Sequence, residues 1–418
     1  MYRRAVTETH PRDNRLVALC DVNDKRLALS VSEAPPQPGN GIATYEAADF
    51  DRMIAEQRPD TVIVTVPDYL HHDYIVRALR AGCNVMTEKP MTIDLGKLKQ
   101  VLDAQRASGR HLTVTFNYRY TPARTQLKDI LMSGAIGDIQ AVDFTWYLDR
   151  VHGADYFRRW HRYKDKSGGL LVHKSTHHFD LMNWWVASTP KTVSANGKRV
   201  FYTPETAKEL GLENHGPRCH GCPVFDKCDY RLDLEADESL RDMYLEAEDA
   251  DGYYRDKCVW ADDITIEDTM QVQATYANGV FLNYTLCAYS PWEGLEITFH
   301  GSKGELRHKH IEVHGVFGGK RDKAHGDNMT TTLHLAGRRP EDVPVWAGSG
   351  DHGGADPVML GYLFEPASMP ADKYNRASTQ KEGAWSILTG IAANASIAGA
   401  GRVDVDKMLA KAGIVLER

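Results

Sequence analysis

The first third of the chain alternates short apolar segments with amphipathic ones, and this alternation constrains the fold most strongly. Segments rich in Val, Ile, Leu and Thr have the composition of buried strands, and each is followed by a stretch with helical periodicity. The predicted strands cover 16–20, 61–66, 84–87 and 111–117, and the predicted helices cover 1–10, 24–32, 68–82 and 94–108. Repeated in this way, strand and helix specify a doubly wound α/β domain with a parallel sheet.

Polar residues end the predicted strands and therefore fall at one edge of the sheet. The polar residues are Asp21, Asp68, Lys89 and Asn117, and Pro67 lies at the same edge. In open α/β sheets, ligands bind in the crevice outside the carboxyl ends of the strands. Pro90 biases Lys89 away from helical backbone angles and gives the strand a defined exit direction. We predict that Lys89 faces a ligand; a solvated lysine paired with Glu88 is the alternative.

Asp21 is a carboxylate at the end of an early strand. In dinucleotide-binding domains such a residue follows a glycine-rich phosphate loop by ~20 residues, binds the adenosine ribose of NAD and repels the 2′-phosphate of NADP. The loop and the strand before it are missing, because Met1 stands where the next helix should begin. A sheet without its central strand leaves two strands unpaired. We therefore expect an internal or mis-assigned start; a naturally shortened fold is the alternative.

The pattern changes after Tyr120, and we predict domains at 1–120 and 121–418. The second half is predicted to contain a helix at 122–133, a strand at 139–147, two hairpins at 266–288 and 295–310, and a loop at 352–356. The first hairpin turns at Ala-Asn-Gly, a strong hairpin signal. We expect an α/β domain with a large, open, mostly antiparallel sheet, broad enough to form a homodimer or homotetramer. The loop either lines the substrate pocket or is a surface turn.

Acid–base residues are concentrated in the apolar segment 170–186. Gly168 and Gly169 let the chain turn into this segment, which is long enough for a helix. His173 and His177 are four residues apart and Asp180 follows three later, so all three share one helix face. A histidine can accept a hydroxyl proton at neutral pH, and a carboxylate one turn away can orient it. Buried histidines kept for packing are the alternative, but together with Lys89 the set favours catalysis.

Four of the seven cysteines lie in or at the end of segment 201–258, which interrupts the second domain. Cys219, Cys222 and Cys228 are closely spaced, and Cys258 follows 30 residues later. Thiolates at such spacing can close a tetrahedral zinc site and fix an otherwise irregular insertion. We predict a structural zinc ion. Free buried thiols remain an alternative, as do disulfides if an export signal precedes Met1.

Charge and hydropathy exclude several classes of function. The chain has 50 basic and 57 acidic residues, a net charge of −7, so it offers no broad attraction for nucleic acid or anionic membranes. No apolar run approaches the ~18 residues of a membrane span, and the first residues lack the apolar core of a signal peptide. We expect a cytoplasmic protein with a small polar ligand. The short basic and aromatic run 158–164 is expected to line the cofactor cleft; a surface loop is the alternative.

Several of these motifs together resemble the Gfo/Idh/MocA family of nicotinamide-dependent sugar oxidoreductases. They are Val66-Pro67-Asp68 with His71, Glu88-Lys89-Pro90, and Gly168-Gly169 leading to His177 and Asp180. The resemblance covers nearly the whole chain and implies an N-terminal Rossmann domain, a C-terminal α/β domain and bound NAD or NADP. The residues it places at the cofactor are Asp21, Val66, Pro67, Asp68, His71, Glu88, Lys89, Asn117, Trp160 and Arg162. In the family, the position of His173 is usually an aspartate.

The predicted reaction is the oxidation of a ring secondary alcohol of a sugar, a sugar derivative or a cyclitol. His177 would remove the hydroxyl proton as hydride moves to the nicotinamide, and Lys89 would hydrogen-bond the same oxygen. His173 and Asp180 complete the predicted catalytic set. Two alternatives remain open. One is an enzyme that retains NAD and cleaves glycosides by transient oxidation, and the other is a non-catalytic sugar-binding protein if Met1 is the true start.

Overall fold

The computed structural model describes residues 1–36, 41–312, 328–349 and 351–418. Its fold confirms the predicted class: parallel strands alternate with helices in the first part, and a large mixed, mostly antiparallel sheet follows. Within the described ranges, no helix is both long enough and apolar enough to cross a bilayer. The predicted division near residue 120 remains a prediction.

The parallel strands of the first part form two groups. The strands are β1 (Ala18–Asp21), β2 (Ala43–Glu46), β3 (Thr61–Val64), β4 (Asn84–Thr87) and β5 (Leu112–Val114). β1 pairs with β2, and β3 pairs with β4, which pairs with β5. Among the described residues no ladder joins the two groups, so the sheet is interrupted between β1 and β3. The interruption lies where the sequence lacks the expected central strand.

Five helices connect and cover these strands. They are α1 (Tyr2–Arg4, continued by a π-helical turn at Ala5–Thr9), α2 (Asp24–Ser32), α3 (Phe50–Gln57), α4 (His71–Arg80) and α5 (Leu95–Ser108). The N-terminal helix packs beside the interruption, where Tyr2 and Val6 join a small apolar cluster with Ile63 of β3 and Met86 of β4. This packing supplies apolar contact, but not backbone pairing, at the gap.

The second part is built on one mixed sheet. Its strands are β6 (Ile139–Asp149), β7 (Pro190–Lys198), β8 (Thr269–Tyr276), β9 (Phe281–Ser290), β10 (Glu293–Gly301), β11 (Gly304–Glu312), β12 (Asn328–Leu335), β13 (Glu341–Asp342) and β14 (Val403–Asp404). In the described part of the chain the order is β13-β12-β11-β10-β6-β9-β8-β7-β14, and β6 with β9 is the parallel pair. Alternate residues of β6, β8 and β9 are buried, so one face meets the core and the other is open, as at Phe281.

The second part contains eleven α-helices among its described residues. They are α6 (Pro122–Met132), α7 (Arg150–Arg158), α8 (Lys164–Ser167), α9 (Leu170–His173), α10 (Ser175–Val186), α11 (Pro204–Glu209), α12 (Glu238–Leu240), α13 (Glu248–Asp251), α14 (Asp351–Phe364), α15 (Gln380–Ala395) and α16 (Val405–Lys411). Of these, α7, α15 and α16 contact the sheet directly. The rings of Trp146 and Phe144 on β6 pack against His178 of α10. The predicted helix 170–186 is divided at Lys174 into α9 and α10.

A glycine lets α15 approach α9 closely. A Cβ atom at Gly390 would lie 2.2 Å from the carbonyl oxygen of Leu171. Because that neighbour is backbone, it cannot turn away as a side chain can. The close approach sets the position of α9, which carries His173.

Gly390→Ala is expected to lower the free energy of unfolding by about 1–3 kcal/mol, because overpacking forces the backbones of α15 and α9 apart. Gly96→Ala is the matched control, since a Cβ there meets nothing closer than 3.4 Å and helical alanine is favoured. Denaturant unfolding followed by circular dichroism measures both. Equal stabilities for the two variants would contradict the tight contact.

Candidate active site

Lys89 follows β4 and contacts the second half of the chain. Its Nζ donates a hydrogen bond to the backbone oxygen of His173, at 3.2 Å. The Lys89–Pro90 peptide bond is cis. Desolvation lowers the pKa of Lys89 to about 8, although the carboxylates of Asp68 and Glu88 act in the opposite direction. Lys89 is therefore a partly buried ammonium that can lose its proton near neutral pH.

His71 joins the two turns that present Lys89. One ring nitrogen lies 2.7 Å from the backbone oxygen of Pro90, and the other lies 2.8 Å from that of Val66. Burial lowers the pKa of His71 to about 4, so the ring is neutral at pH 7. These contacts place His71 on the backbone that follows β3 and β4.

Asp68 and His173 form a buried pair. The Nδ1 atom of His173 lies 2.5 Å from Oδ2 of Asp68, and both residues are buried. Burial raises the pKa of Asp68 and lowers that of His173, and the charge of Lys89 lowers both. The family usually has its carboxylate at the position of His173; here Asp68 brings a carboxylate to that imidazole from the end of β3.

His177 lies flat on an aromatic ring. Its imidazole stacks on Tyr118 with centroids 4.0 Å apart and planes 10° apart. The Nζ atom of Lys174 donates a hydrogen bond to the Tyr118 hydroxyl at 3.2 Å. Burial lowers the pKa of His177 well below its ordinary value, and the charges of Lys89 and Lys174 lower it further. His177 is therefore neutral at pH 7 and can accept a proton.

Asp180 does not orient His177, contrary to the role predicted for it. Both of its oxygens accept hydrogen bonds from the guanidinium of Arg119, at 2.6 and 2.7 Å, and both side chains are buried. Burial raises the pKa of Asp180 to about 6, and Arg119 limits that rise. Helical spacing alone would direct Asp180 toward His177, but Arg119, 61 residues earlier in the sequence, takes both of its oxygens.

The other predicted cofactor residues divide into two groups. Asp21 ends β1, where its Oδ1 accepts a hydrogen bond from the backbone of Asn23 at 2.9 Å. Glu88 accepts a hydrogen bond from the Tyr2 hydroxyl at 2.7 Å. Trp160 lies between the two halves of the chain, with its ring centroid 6.4 Å from that of Tyr69. These three remain at or beside the carboxyl edge of the parallel strands.

Asn117 and Arg162 have partners in the second part of the chain. Asn117 donates to Asp356 at 2.8 Å, and Asp356 also binds His352 at 2.8 Å, so the loop predicted at 352–356 reaches the edge of the sheet. Arg162 is buried and pairs with Asp263 at 2.5 Å. The contacts of Arg162 do not support its predicted place at the cofactor.

Sequence reasoning missed Tyr118 and Lys174 as site residues. Tyr118 follows Asn117 directly after β5, so the rule used for the other strand ends would have found it. Lys174 had no such signal, because it lies within the helical segment rather than at a strand end. Tyr118 stacks on His177, and Lys174 donates a hydrogen bond to the Tyr118 hydroxyl.

The four cysteines of the insertion line one small cavity. Cys219, Cys222, Cys228 and Cys258 surround about 20 Å³ of space. All four are free thiols. In the described ranges no three His, Cys, Asp or Glu side chains already stand in metal-binding geometry. The predicted zinc ion therefore remains a proposal.

Asp180→Asn is expected to lower the free energy of unfolding by about 3–5 kcal/mol, because it leaves the Arg119 guanidinium buried without a counter-charge. Asp103→Asn, at an exposed pair with Lys99, is the control and should change stability by less than about 1 kcal/mol. Denaturant unfolding at pH 7 measures the free energy of unfolding of both variants. Wild-type stability in Asp180→Asn combined with lost turnover would restore the orienting role.

Comparison with known proteins agrees with this architecture. Residues 2–116 match the description "Oxidoreductase family, NAD-binding Rossmann fold", and residues 128–404 match "Oxidoreductase family, C-terminal alpha/beta domain". The oxidoreductase YteT of Bacillus subtilis is 34% identical over 401 residues, which cover 93% of this chain and 91% of YteT. The D-glucoside 3-dehydrogenase of Escherichia coli is 30% identical over 201 residues, 48% of this chain and 54% of that protein.

Solved structures show the same fold. The structure of levoglucosan dehydrogenase in complex with NADH and levoglucosan has a TM-score of 0.62 and 16% identity, with 96% of this chain and 93% of that chain covered. The two family matches together span most of the sequence, and the YteT similarity extends over nearly all of it. The chain therefore belongs to the Gfo/Idh/MocA oxidoreductase family and is an NAD(P)-dependent oxidoreductase.

Proposed function

We propose that this protein is an NAD-dependent dehydrogenase that oxidises a ring secondary alcohol of a sugar, a sugar derivative or a cyclitol. The observation that carries the proposal is the junction of Lys89 with the segment that bears His177. Lys89 binds the backbone oxygen of His173, and its charge is close enough to lower the pKa of His177. An ammonium and a neutral imidazole thus stand together at the edge where ligands bind in sheets of this kind.

These two side chains have complementary roles in alcohol oxidation. When bound, NAD supplies the hydride acceptor. The Lys89 ammonium donates a hydrogen bond to the substrate hydroxyl oxygen and stabilises the negative charge that develops there. His177 is neutral at pH 7 and accepts the hydroxyl proton. Tyr118, stacked on His177 and bound to Lys174, holds the imidazole plane in place.

The Asp68–His173 pair and His71 fix the geometry of Lys89. His71 lies between the backbone oxygens of Pro90 and Val66 and, as a neutral ring, donates a hydrogen bond to one of them, and the short contact to Asp68 ties His173 to the end of β3. Because Lys89 binds the backbone oxygen of His173, this pair also fixes the acceptor for its ammonium. The residues around Lys89 therefore position it, and Lys89 itself meets the substrate.

Asp21 favours NAD over NADP. It stands at the end of β1, where its Oδ1 accepts a hydrogen bond from the backbone of Asn23. A carboxylate in this place can accept hydrogen bonds from the ribose hydroxyls and repels a 2′-phosphate.

We further propose a cytoplasmic protein that self-associates through the open face of the mixed sheet.

A second candidate, cleavage of glycosides by transient oxidation, uses the same site. The similarity to a D-glucoside 3-dehydrogenase favours a glycoside as substrate, because that enzyme's name places oxidation on the sugar ring. In this case NAD would be reduced and reoxidised within one turnover. The two candidates differ in whether reduced nicotinamide accumulates or an aglycone is released.

Full-length protein mixed with NAD and a panel of sugars, cyclitols and chromogenic glycosides tests both candidates. A dehydrogenase raises nicotinamide absorbance, whereas a glycoside-cleaving enzyme releases the aglycone without net reduction. No absorbance change and no cleavage across the panel, with sugar binding retained, would leave a non-catalytic binding protein.

Lys89→Ala is expected to lower kcat by at least ~10²-fold, because one charged donor to the developing alkoxide is lost. Binding of NAD should change little, since Asp21, which we propose to bind the adenosine ribose, is unchanged. Lys97→Ala, which removes a partly exposed lysine of α5, should keep wild-type turnover. A fully active Lys89→Ala enzyme would refute the assigned role.

The pH profile of kcat/KM shows whether Lys89 acts as a charged hydrogen-bond donor, with His177 as the proton acceptor, or accepts the proton itself. Since the pKa of Lys89 is lowered to about 8, kcat/KM should fall as pH rises through 8 and the ammonium loses its proton. In Lys89→Arg this fall should disappear, because a guanidinium stays charged. A wild-type rate that instead rises through pH 8 would make neutral Lys89 the proton acceptor in place of His177.

A further inference from the structure

We propose that Cys219, Cys222, Cys228 and Cys258 bind one zinc ion, and that this metal centre fixes the insertion against the adenosine end of the cofactor site. The thiols and the cofactor edge are linked by an unbroken set of hydrogen bonds and ion pairs. The proposal therefore assigns the insertion a function in holding the dinucleotide.

The first observation is the convergence of cysteines that are far apart in the sequence. Cys258 is 30 residues beyond Cys228, yet both line the same cavity as Cys219 and Cys222. About 20 Å³ is room for one water molecule or one ion of similar size.

The second observation is the set of donors that surrounds the sulfurs. The backbone N–H of Gly216 points to the sulfur of Cys222, and that of Leu232 points to the sulfur of Cys219, each at 3.3 Å. His215 lies with Nδ1 3.3 Å from the sulfur of Cys258. Donors to sulfur support the negative charge of metal-bound thiolates. Buried apolar thiols would need no such donors.

The chemistry of the four sulfur ligands indicates which metal would bind. Four thiolates suit zinc in a closed tetrahedral site, with each cysteine giving its proton to solvent as the Zn–S bond forms. The neighbouring chain has little regular structure, because α11, α12 and α13 are short helices in a segment of nearly 60 residues. A metal ion supplies the crosslink that such a segment lacks.

The cysteine segments are tied directly to α13. The backbone N–H of Cys219 donates to the oxygen of Asp256, and that of Cys258 donates to the oxygen of Pro217, both at 2.9 Å. Between them, Arg218 pairs with Asp256 at 2.8 Å and with Glu248 at 2.7 Å. Glu248 is the first residue of α13, so the position of that helix follows from the cysteine cluster.

The chain around α13 is in turn fixed to the cofactor edge. Asn23, which is fully buried, donates to the backbone oxygen of Ala247 at 2.8 Å. Arg26 pairs with Asp251 at 2.5 Å, and Lys25 pairs with Asp249 at 2.6 Å. The backbone of Asn23 also holds the carboxylate of Asp21. Loss of the metal would therefore loosen the residue proposed to bind the adenosine ribose.

Metal content tests the first half of the proposal without any assay of turnover. Protein expressed with zinc and passed through metal-free buffer should carry one zinc per chain by mass spectrometry. Cobalt exchanged into the site should give the visible absorption of a tetrahedral thiolate complex. Cys222→Ser should lose the metal, and Cys287→Ser, at a cysteine on β9, should keep it. Metal-free wild-type protein, bound iron, or full zinc in Cys222→Ser would each overturn the assignment.

Binding of NAD, measured by calorimetry, tests the second half, which rests on the proposed cofactor position. Cys222→Ser should weaken binding by about 5- to 150-fold, the usual range for two coupled sites. Arg218→Ala should weaken it similarly while keeping zinc, because it cuts the link and leaves the thiols. Arg241→Ala, whose partners lie within the insertion, is the control with unchanged binding.

The outcomes separate this inference from the proposed function. Unchanged NAD affinity in Arg218→Ala would refute the coupling, even if Cys222→Ser failed to fold. Wild-type protein that binds zinc but no NAD would refute the cofactor proposal and the coupling together, and would leave the metal assignment standing.

Discussion

One hydrogen bond across the two halves of the chain organises the site: the Lys89 ammonium donates to the backbone oxygen of His173. A desolvated ammonium is costly unless its protons find acceptors. The carbonyl at the end of α9 supplies one acceptor, and the Asp68–His173 contact holds α9 against the end of β3. The active site can therefore form only when the parallel strands and the mixed sheet are docked together.

Buried charged side chains around the site are also paired with partners of opposite charge. Arg119 and Asp180 neutralise each other in the interior, and Arg124 binds Glu312 at 2.6 Å behind Tyr118. Such pairs give little net stability, but losing one partner is expensive. They leave Lys89 and Lys174 as the cations near His177, which favours its neutral form. Burial and these charges thus keep the imidazole unprotonated at pH 7.

The sequence predicted the fold and the strand ends well because both depend on local patterns. Strand–helix alternation predicted β1, β3, β4 and β5 and placed Asp68, Lys89 and Asn117 at strand ends, but it missed β2 and α3, because residues 43–57 lack a continuous apolar run. The partners of buried side chains were not predictable in the same way. Asp180 was assigned to His177 from helical spacing, whereas Arg119, 61 residues earlier in the sequence, takes both of its oxygens. The contact of Lys174 with Tyr118, 56 residues earlier in the sequence, is likewise not revealed by helical periodicity.

The central claim is that Lys89 and His177 act on one substrate oxygen. A crystal structure of the protein with NAD and the ring alcohol it oxidises would measure this directly. The account predicts a single hydroxyl oxygen within about 2.6–3.2 Å of both the Lys89 Nζ and a ring nitrogen of His177. A bound alcohol whose reacting oxygen touches only one of them, or neither, would contradict the account.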